Sequence, residues 1–237
     1  MGFDCAARTH IGLRRTLNED AVLNSAERGL WAVADGMGGH DAGEVASAMV
    51  IETLSQCQLN GDIESRCAAA VAAVADANMR LQDFARTFCE DRTIGTTVVG
   101  LTVAEQAYAC FWAGDSRAYR VREGAIVRLT RDHSLVQDLV DAGMLSANEA
   151  DAHPNANIIT RAVGAEANLQ IDTVTGDLQP GDHFLLASDG LTRLVNDDEL
   201  LEQLATNDVD KAADDLVAMA LERGGNDNIS LIIVGIR

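Results

Sequence analysis

The sequence has one lysine, Lys211, among 18 basic residues, against 37 acidic ones, for a net charge of −19. No run of lysine or arginine supplies the basic face of a nucleic-acid binder, so that class is excluded. Prolines number two, Pro154 and Pro180, and no Gly/Ser/Pro-rich stretch, repeat or low-complexity segment marks a linker. The five cysteines stand singly at 5, 57, 67, 89 and 110. An odd count without C-x-x-C speaks against a disulfide framework and a zinc knuckle, and leaves small buried hydrophobes. No apolar run approaches membrane-spanning length, and "MGFDCAARTHIG" lacks the basic and apolar regions of a signal peptide. The expectation is a cytoplasmic monomer with no membrane or nucleic-acid partner, folded as one domain over residues 1–237. That length is ample for a core.

What the chain does have is apolar pattern. Strand-like runs are "GLWAVAD" (29–35), "TTVVGLTV" (96–103), "AYACFWAG" (107–114), "SRAYRV" (116–121), "HFLLAS" (183–188) and "NISLIIVGI" (228–236). Helical spacing runs from Ala42 to Cys57, and less regularly from Cys67 to Phe84. Asp41 with Glu44 offers an N-cap and its partner for the first helix. Ser134 with Gln137 and Ser146 with Glu149 cap two short helices, and late helices occupy about 197–206 and 209–223. Regular β-α alternation is missing. Consecutive strands favour antiparallel sheets with helices packed outside, an α+β class.

Acids sit where strand-like runs stop. Asp35 follows "GLWAVA" and leads into "DGMGG". Asp115 lies in "GDSR", Asp189 in "SDG" and Asp227 in "GGNDN". Carboxylates brought to one point repel unless protons or cations intervene. A hard divalent ion is the natural occupant, and an all-oxygen set favours Mg²⁺ or Mn²⁺ over zinc. Two ions bridged by one carboxylate would activate a water and clamp a phosphoryl transfer. The bare glycine after Asp35 would let a backbone carbonyl approach an ion. A plain turn reading of each Asp-Gly pair competes at any single site and weakens for four together.

Rival motifs fail. "GMGGHDAG" breaks G-x-G-x-x-G at Asp41, and no P-loop occurs. "GDSRA" departs from a nucleophile elbow at Ala118, which makes Ser116 a turn residue.

The ordered set "GLRRTLNEDA" (12–21), "VADGMGGHDAGEVAS" (33–47), "GTT" (95–97), "GDSRAY" (114–119), "LTRDHSLVQDLVDAG" (129–143), "HPNANIITRAVG" (153–164), "LLASDGL" (185–191) and "GGNDNIS" (224–230) covers nearly the whole chain. It resembles the metal-dependent Ser/Thr phosphatases of the protein phosphatase 2C family in their compact bacterial form. The resemblance implies an αββα sandwich, two central antiparallel β-sheets flanked by helix pairs, with the site at one end. It implies that Asp35 bridges two Mn²⁺ or Mg²⁺ ions. The Gly36 carbonyl would bind the second ion, with Glu19 or Asp20 beside it. Asp189 and Asp227 would hold the first, and Asp115, with Asp189, a weaker third. Arg15 matches the family's phosphate-binding arginine, with Arg14 beside it a surface charge. Residues from about Ser134 to Ile159 match a flap.

Animal members carry a histidine after the Asp-Gly pair, proposed as general acid; here Met37 stands there. His40 is the nearest protein candidate for the proton donor, and a cation-acidified water is the competing one. The implied activity is hydrolysis of phosphoserine and phosphothreonine, with phosphorylated proteins as substrates, among them a Ser/Thr kinase and its targets. Two alternatives remain open: hydrolysis of another phosphoester, and a non-catalytic phosphoprotein-binding module.

Overall fold

A computed structural model describes residues 2–38, 42–88, 94–150, 153–205 and 208–237. Strands β1 (Phe3–His10), β2 (Asp20–Ser25) and β3 (Leu30–Met37) open the chain, followed by helices α1 (Ala42–Gln56) and α2 (Ile63–Phe88). Then come β4 (Gly95–Thr96), β5 (Val98–Ala104), β6 (Ala107–Ala113), β7 (Arg117–Arg122) and β8 (Ala125–Arg128). Short helices α3 (Leu135–Asp141) and α4 (Ala147–Ala150) precede β9 (Asp172–Asp177) and β10 (His183–Ala187). Helices α5 (Asp189–Thr192), α6 (Asp197–Leu204) and α7 (Val209–Glu222) lead to β11 (Ile229–Ile236).

One sheet has the order β1-β11-β10-β7-β8 and the other β2-β3-β5-β6-β9, with β4 paired to β3. All pairings are antiparallel. Three apolar clusters stack in order. Leu30, Ala32 and Ala34 of β3 pack with Val50, Leu54, Val74 and Leu81 of α1 and α2. Trp31 and Val33, alternating with them, meet Phe184, Leu186, Ile232 and Val234 of the other sheet. Ile229, Leu231 and Ile233 pack outward against Leu216 and Ala220 of α7. This is the αββα sandwich the sequence predicts. Among the described residues no helix is long and apolar enough to cross a membrane.

The central strands are buried on both faces, so they read as unbroken apolar runs. The strands that pattern reading misses, β1, β2, β8 and β9, are the four edges of the two sheets. Edge strands are one-sided and carry polar residues, as in "FDCAARTH" with one fully buried position and "DTVTGD" with none. β8 follows β7 through Glu123-Gly124, both at positive φ (50° and 75°), the backbone of a tight two-residue hairpin. The run 96–103 is broken at Thr97 into β4 and β5. The Ser134 side chain accepts from the Gln137 N–H at the start of α3. The ends of the 134–159 segment are tied by a bridge between Ser134 and Ile159. Asp41 lies outside the described residues, as does Cys89. Cys67 and Cys110 are buried, Cys5 and Cys57 half-buried, and all four are free thiols.

Candidate active site

The register of β2 and β3 sets Asp20 directly opposite Asp35. Opposed residues project from one face of a sheet. Since Trp31 and Val33 face the second sheet, Asp35 continues that series, and both acids stand at the end of the inter-sheet layer. Glu19 turns to the other face. Its carboxylate lies against Gly43 at the start of α1, where an added Cβ would be 2.3 Å from Oε1. Of the two acids left open by the sequence, Asp20 therefore shares Asp35's face and Glu19 faces α1.

The sequence pattern ends the strand at Asp35. The strand does not stop at Asp35: β3 continues to Met37, with Gly36 opposite Thr96. Gly36 is bare for a packing reason. A Cβ there would lie 2.1 Å from the Gly43 carbonyl oxygen and 2.6 Å from that of Glu19. The Gly36 N–H donates to Glu19 O at 3.1 Å. Only glycine lets α1 and β2 close on β3 at this point.

Asp115 is buried in the β6–β7 connection, Asp189 is the first residue of α5, and Asp227 lies just before β11. The "GTT" run frames Asp35 through its backbone. Thr97 N–H and Thr96 Oγ1 both donate to Asp35 O, at 2.8 and 2.9 Å, and Asp35 N–H donates to Thr97 Oγ1 at 3.1 Å. Thr97 Oγ1 in turn lies 2.7 Å from Ser116 Oγ. Ser116 is thus a buried strut joining β3 to the Asp115 loop, which a turn assignment does not capture.

Two further residues that the motif reading passed over hold the acids. Ser188 Oγ donates to Asp20 Oδ2 at 2.9 Å, linking the sheets, and Ser230 N–H donates to Ser188 Oγ at 3.0 Å. Asn228 staples the loop that carries Arg15. Its Nδ2 donates to the carbonyls of Ile11 and Leu17, each at 2.9 Å, and its Oδ1 accepts the Glu19 N–H at 2.8 Å. Leu13 N–H reaches Gly225 O at 2.7 Å. So held, the half-exposed Arg15 meets Asp227 Oδ2 at 2.7 Å, while Arg14 is exposed. The signal for Asn228 is present in "GGNDN", where attention falls on the acid beside it. His40 lies outside the described residues.

Burial dominates the electrostatics. It pushes Asp20 up to about 7, against hydrogen bonds from Ser230 and Ser188, with Asp189 and Asp227 adding to the rise. Burial and then Asp189 push Asp115 up to about 7, although Arg193 pulls it back. Asp35 is raised well above the carboxylate range by burial first, then by Asp20, Asp189, Asp115 and Asp227. Burial also raises Asp189, with Arg193 opposing. Arg15 is held more firmly protonated by Asp227.

Among the described residues no three acids, histidines or cysteines stand as a ready metal cage. Several of the acids instead take local partners: Arg15 on Asp227, Ser188 on Asp20, Arg193 on Asp115 and Asp189. The set nevertheless fits hard cations. Every donor is oxygen. Asp20 Oδ1 and Asp115 Oδ1 are buried without a partner. Carboxylates that are this costly to ionise gain most from a bound cation.

A two-sheet sandwich with oxygen donors at one end has the donor chemistry of a divalent-cation site, and comparison with known proteins gives its family. Residues 8–223 match the family described as protein phosphatase 2C. The chain is 36% identical over 234 residues to the serine/threonine protein phosphatase PstP of Mycobacterium tuberculosis, covering 98% of this chain and 44% of PstP. The chain thus spans less than half the length of that relative. The solved structure of PppA, described as a key regulatory component of T6SS in Pseudomonas aeruginosa, superposes with a TM-score of 0.91 at 37% identity over 99% of this chain and 98% of that one. The PstP catalytic domain in complex with two manganese ions gives 0.90 at 34% identity over 99% of each chain. The chain belongs to the protein phosphatase 2C family.

Proposed function

We propose that this chain hydrolyses phosphoserine and phosphothreonine in proteins with two divalent cations, Mn²⁺ or Mg²⁺. Asp35 would bridge them. Asp189 and Asp227 would hold one, and Gly36 with Asp20 or Glu19 the other; Asp115 would serve a third. One observation carries the reading. Four aspartates from separate segments lie near enough to Asp35 to raise its carboxyl, and Asp20 and Asp115 each keep one buried oxygen without a partner. The manganese in the PstP catalytic domain supports the choice of cation, and the relatives' names support the substrate class.

When bound, the cations would neutralise phosphoryl oxygens and acidify the attacking water. The chain's own residues do the rest. Arg15, tethered through Asn228, exchanges Asp227 for equatorial phosphoryl oxygens, which its planar fork suits. No side-chain nucleophile is needed. The hydroxyls of Thr97, Ser116 and Ser188 are already engaged in hydrogen bonds. The apolar layer under Asp20 and Asp35, with Val22 and Val33, keeps bulk water out from below. Met37 donates no proton, which leaves that step to water or His40.

The likeness to PppA, described as a key regulatory component, supports a regulatory role, and the substrates in that role would be a Ser/Thr kinase and its targets. The chain would act there as a cytoplasmic monomer. The test is a substrate panel with Mn²⁺ present. Release of phosphate from phosphoserine and phosphothreonine peptides well above that from nucleotides supports the reading. A preference for nucleotides moves the chain to another phosphoester, and binding of phosphopeptide without turnover makes it a binding module.

A further inference from the structure

Arg193 caps the short helix α5, one turn beyond Asp189. Its guanidinium reaches three separate parts of the chain. Nε meets Asp189 Oδ2 at 2.9 Å, Nη2 meets Asp115 Oδ2 at 3.2 Å, and Nη2 also donates to the Ala156 carbonyl at 3.2 Å. Among the described residues no other cationic side chain forms an ion pair with Asp115 or Asp189. A tethered positive charge therefore sits between two carboxylates and holds the chain at Ala156 beside them.

The guanidinium also has somewhere to go. Arg193 lines a cavity of about 80 Å³ with Asp115 and Asp189. It lines a larger one of about 490 Å³ with Thr192, Asn196 and Asp197. Rotation from the first cavity into the second exchanges Asp115 and Asp189 for a wall that carries Asp132 and Asp197 together with Arg117 and Arg128, so the guanidinium leaves only when something takes its place on the two acids. A divalent ion arriving on Asp115 would stand within a few ångströms of the guanidinium, and like charges at that range exclude one another.

We propose that Arg193 is a built-in counter-ion. It competes with a divalent cation for Asp115 and Asp189, and its departure frees the stretch 153–159 by breaking the bond to Ala156. The inference rests on the reading of these carboxylates as cation ligands. Arg193 is then a positioning residue that sets how much cation the protein needs and couples loading to the segment beside the site.

The test is Mn²⁺ binding, followed by the electron-spin-resonance signal of the free ion, on metal-stripped wild type, Arg193→Gln and Arg193→Lys. The weakest-bound Mn²⁺ should bind about tenfold tighter to Arg193→Gln, equivalent to ~1.4 kcal/mol. Arg193→Lys keeps the charge but cannot bond all three partners, and should tighten binding by about threefold. Amide exchange over 153–159 should rise with Mn²⁺ in wild type, and in Arg193→Gln be raised already and unresponsive. A purely structural arginine gives the opposite sign. Equal or weaker Mn²⁺ binding by the glutamine variant overturns the proposal, and so does a wild type that binds no Mn²⁺. If the glutamine variant fails to fold, the lysine variant decides by the same sign. Phosphopeptide hydrolysis by the same wild-type preparation is scored separately. An inactive but Mn²⁺-binding wild type counts against the phosphatase reading and leaves the competition result standing.

Discussion

Replacing Asp35 by asparagine should stabilise the protein in the absence of metal and abolish its response to metal. Asparagine keeps the size of the side chain and every backbone contact that frames the position: Thr97 N–H and Thr96 Oγ1 onto Asp35 O, and Asp35 N–H onto Thr97 Oγ1. What it removes is a carboxylate directly opposite Asp20, raised well above the normal carboxylate range by burial and then by four neighbouring acids. Taking opposed side chains at about 5 Å and an effective dielectric near 20, one such pair repels by about 3 kcal/mol. Proton uptake and relaxation remove part of that, leaving roughly 1–2 kcal/mol. For a domain of this length the gain corresponds to a rise of about 2–8 °C in Tm. Saturating Mn²⁺ should reverse the order, because a ligand at 100 times its Kd adds about 2.7 kcal/mol to the protein that binds it. The assay is thermal unfolding at pH 8, with EDTA and then with Mn²⁺, on both proteins. A variant that melts several degrees below wild type in EDTA would show that the carboxylate is a structural element and refute the reasoning.

On the proposed function, EDTA should abolish phosphopeptide turnover and added Mn²⁺ should restore it; turnover that survives EDTA contradicts the cation requirement. Stability without metal should fall as pH rises. Asp20 and Asp115 are pushed up to about 7, so between the unfolded carboxylate range near 4 and pH 7 the folded chain binds more protons than the unfolded one. A tenfold change in one group's proton affinity is ~1.4 kcal/mol, so Tm in EDTA should drop by about 3–6 °C or more between pH 5 and pH 8; a rise over that interval contradicts the assignment. Arg15→Lys should lower kcat/KM on a phosphopeptide at least about tenfold, while Tm moves little because the Asp227 pair is half-exposed; activity within about twofold of wild type removes Arg15 from the phosphate. Asn228→Ala should cost about 2–3 kcal/mol, since it leaves the Ile11 and Leu17 carbonyls unpaired, and should raise protease sensitivity in 11–19; no change in either measurement would mean that the loop is held elsewhere. His40→Ala should affect p-nitrophenyl phosphate and phosphoserine peptide equally if water supplies the leaving-group proton, whereas a loss of about 10²-fold or more confined to the peptide assigns the acid to His40.

The sequence discloses whatever is buried on two sides. Every strand-like run found from pattern alone corresponds to a central strand, because Trp31 and Val33 must satisfy one neighbour while Leu30, Ala32 and Ala34 satisfy another. The edge strands β1, β2, β8 and β9 escape because almost none of their residues is fully buried, one each in β1 and β2 and none in β8 and β9, so polar residues interrupt the apolar pattern. This omission bears directly on the acids, since β2 carries Asp20. Without it, the opposition of Asp20 to Asp35 and the turning of Glu19 towards α1 cannot be read. The acids at 35, 115, 189 and 227 are legible as a set, because carboxylates between small residues recur where apolar runs end. Their supports are less so. Ser116, Ser188, Asn228 and Arg193 belong to residue types common in turns and on surfaces, and only the fold reveals what each one touches.

The claim at the centre of this account is that the acid-lined end of the inter-sheet layer is a cation-dependent phosphoprotein phosphatase centre. It is tested most directly by phosphate release from a phosphothreonine peptide, measured during Mn²⁺ titration of metal-stripped wild type and Asp35→Asn side by side. The account predicts no release from either protein before metal, a saturable rise for wild type, and a flat line for the variant. Release from stripped wild type, or a rise in the variant matching that of wild type, would contradict it.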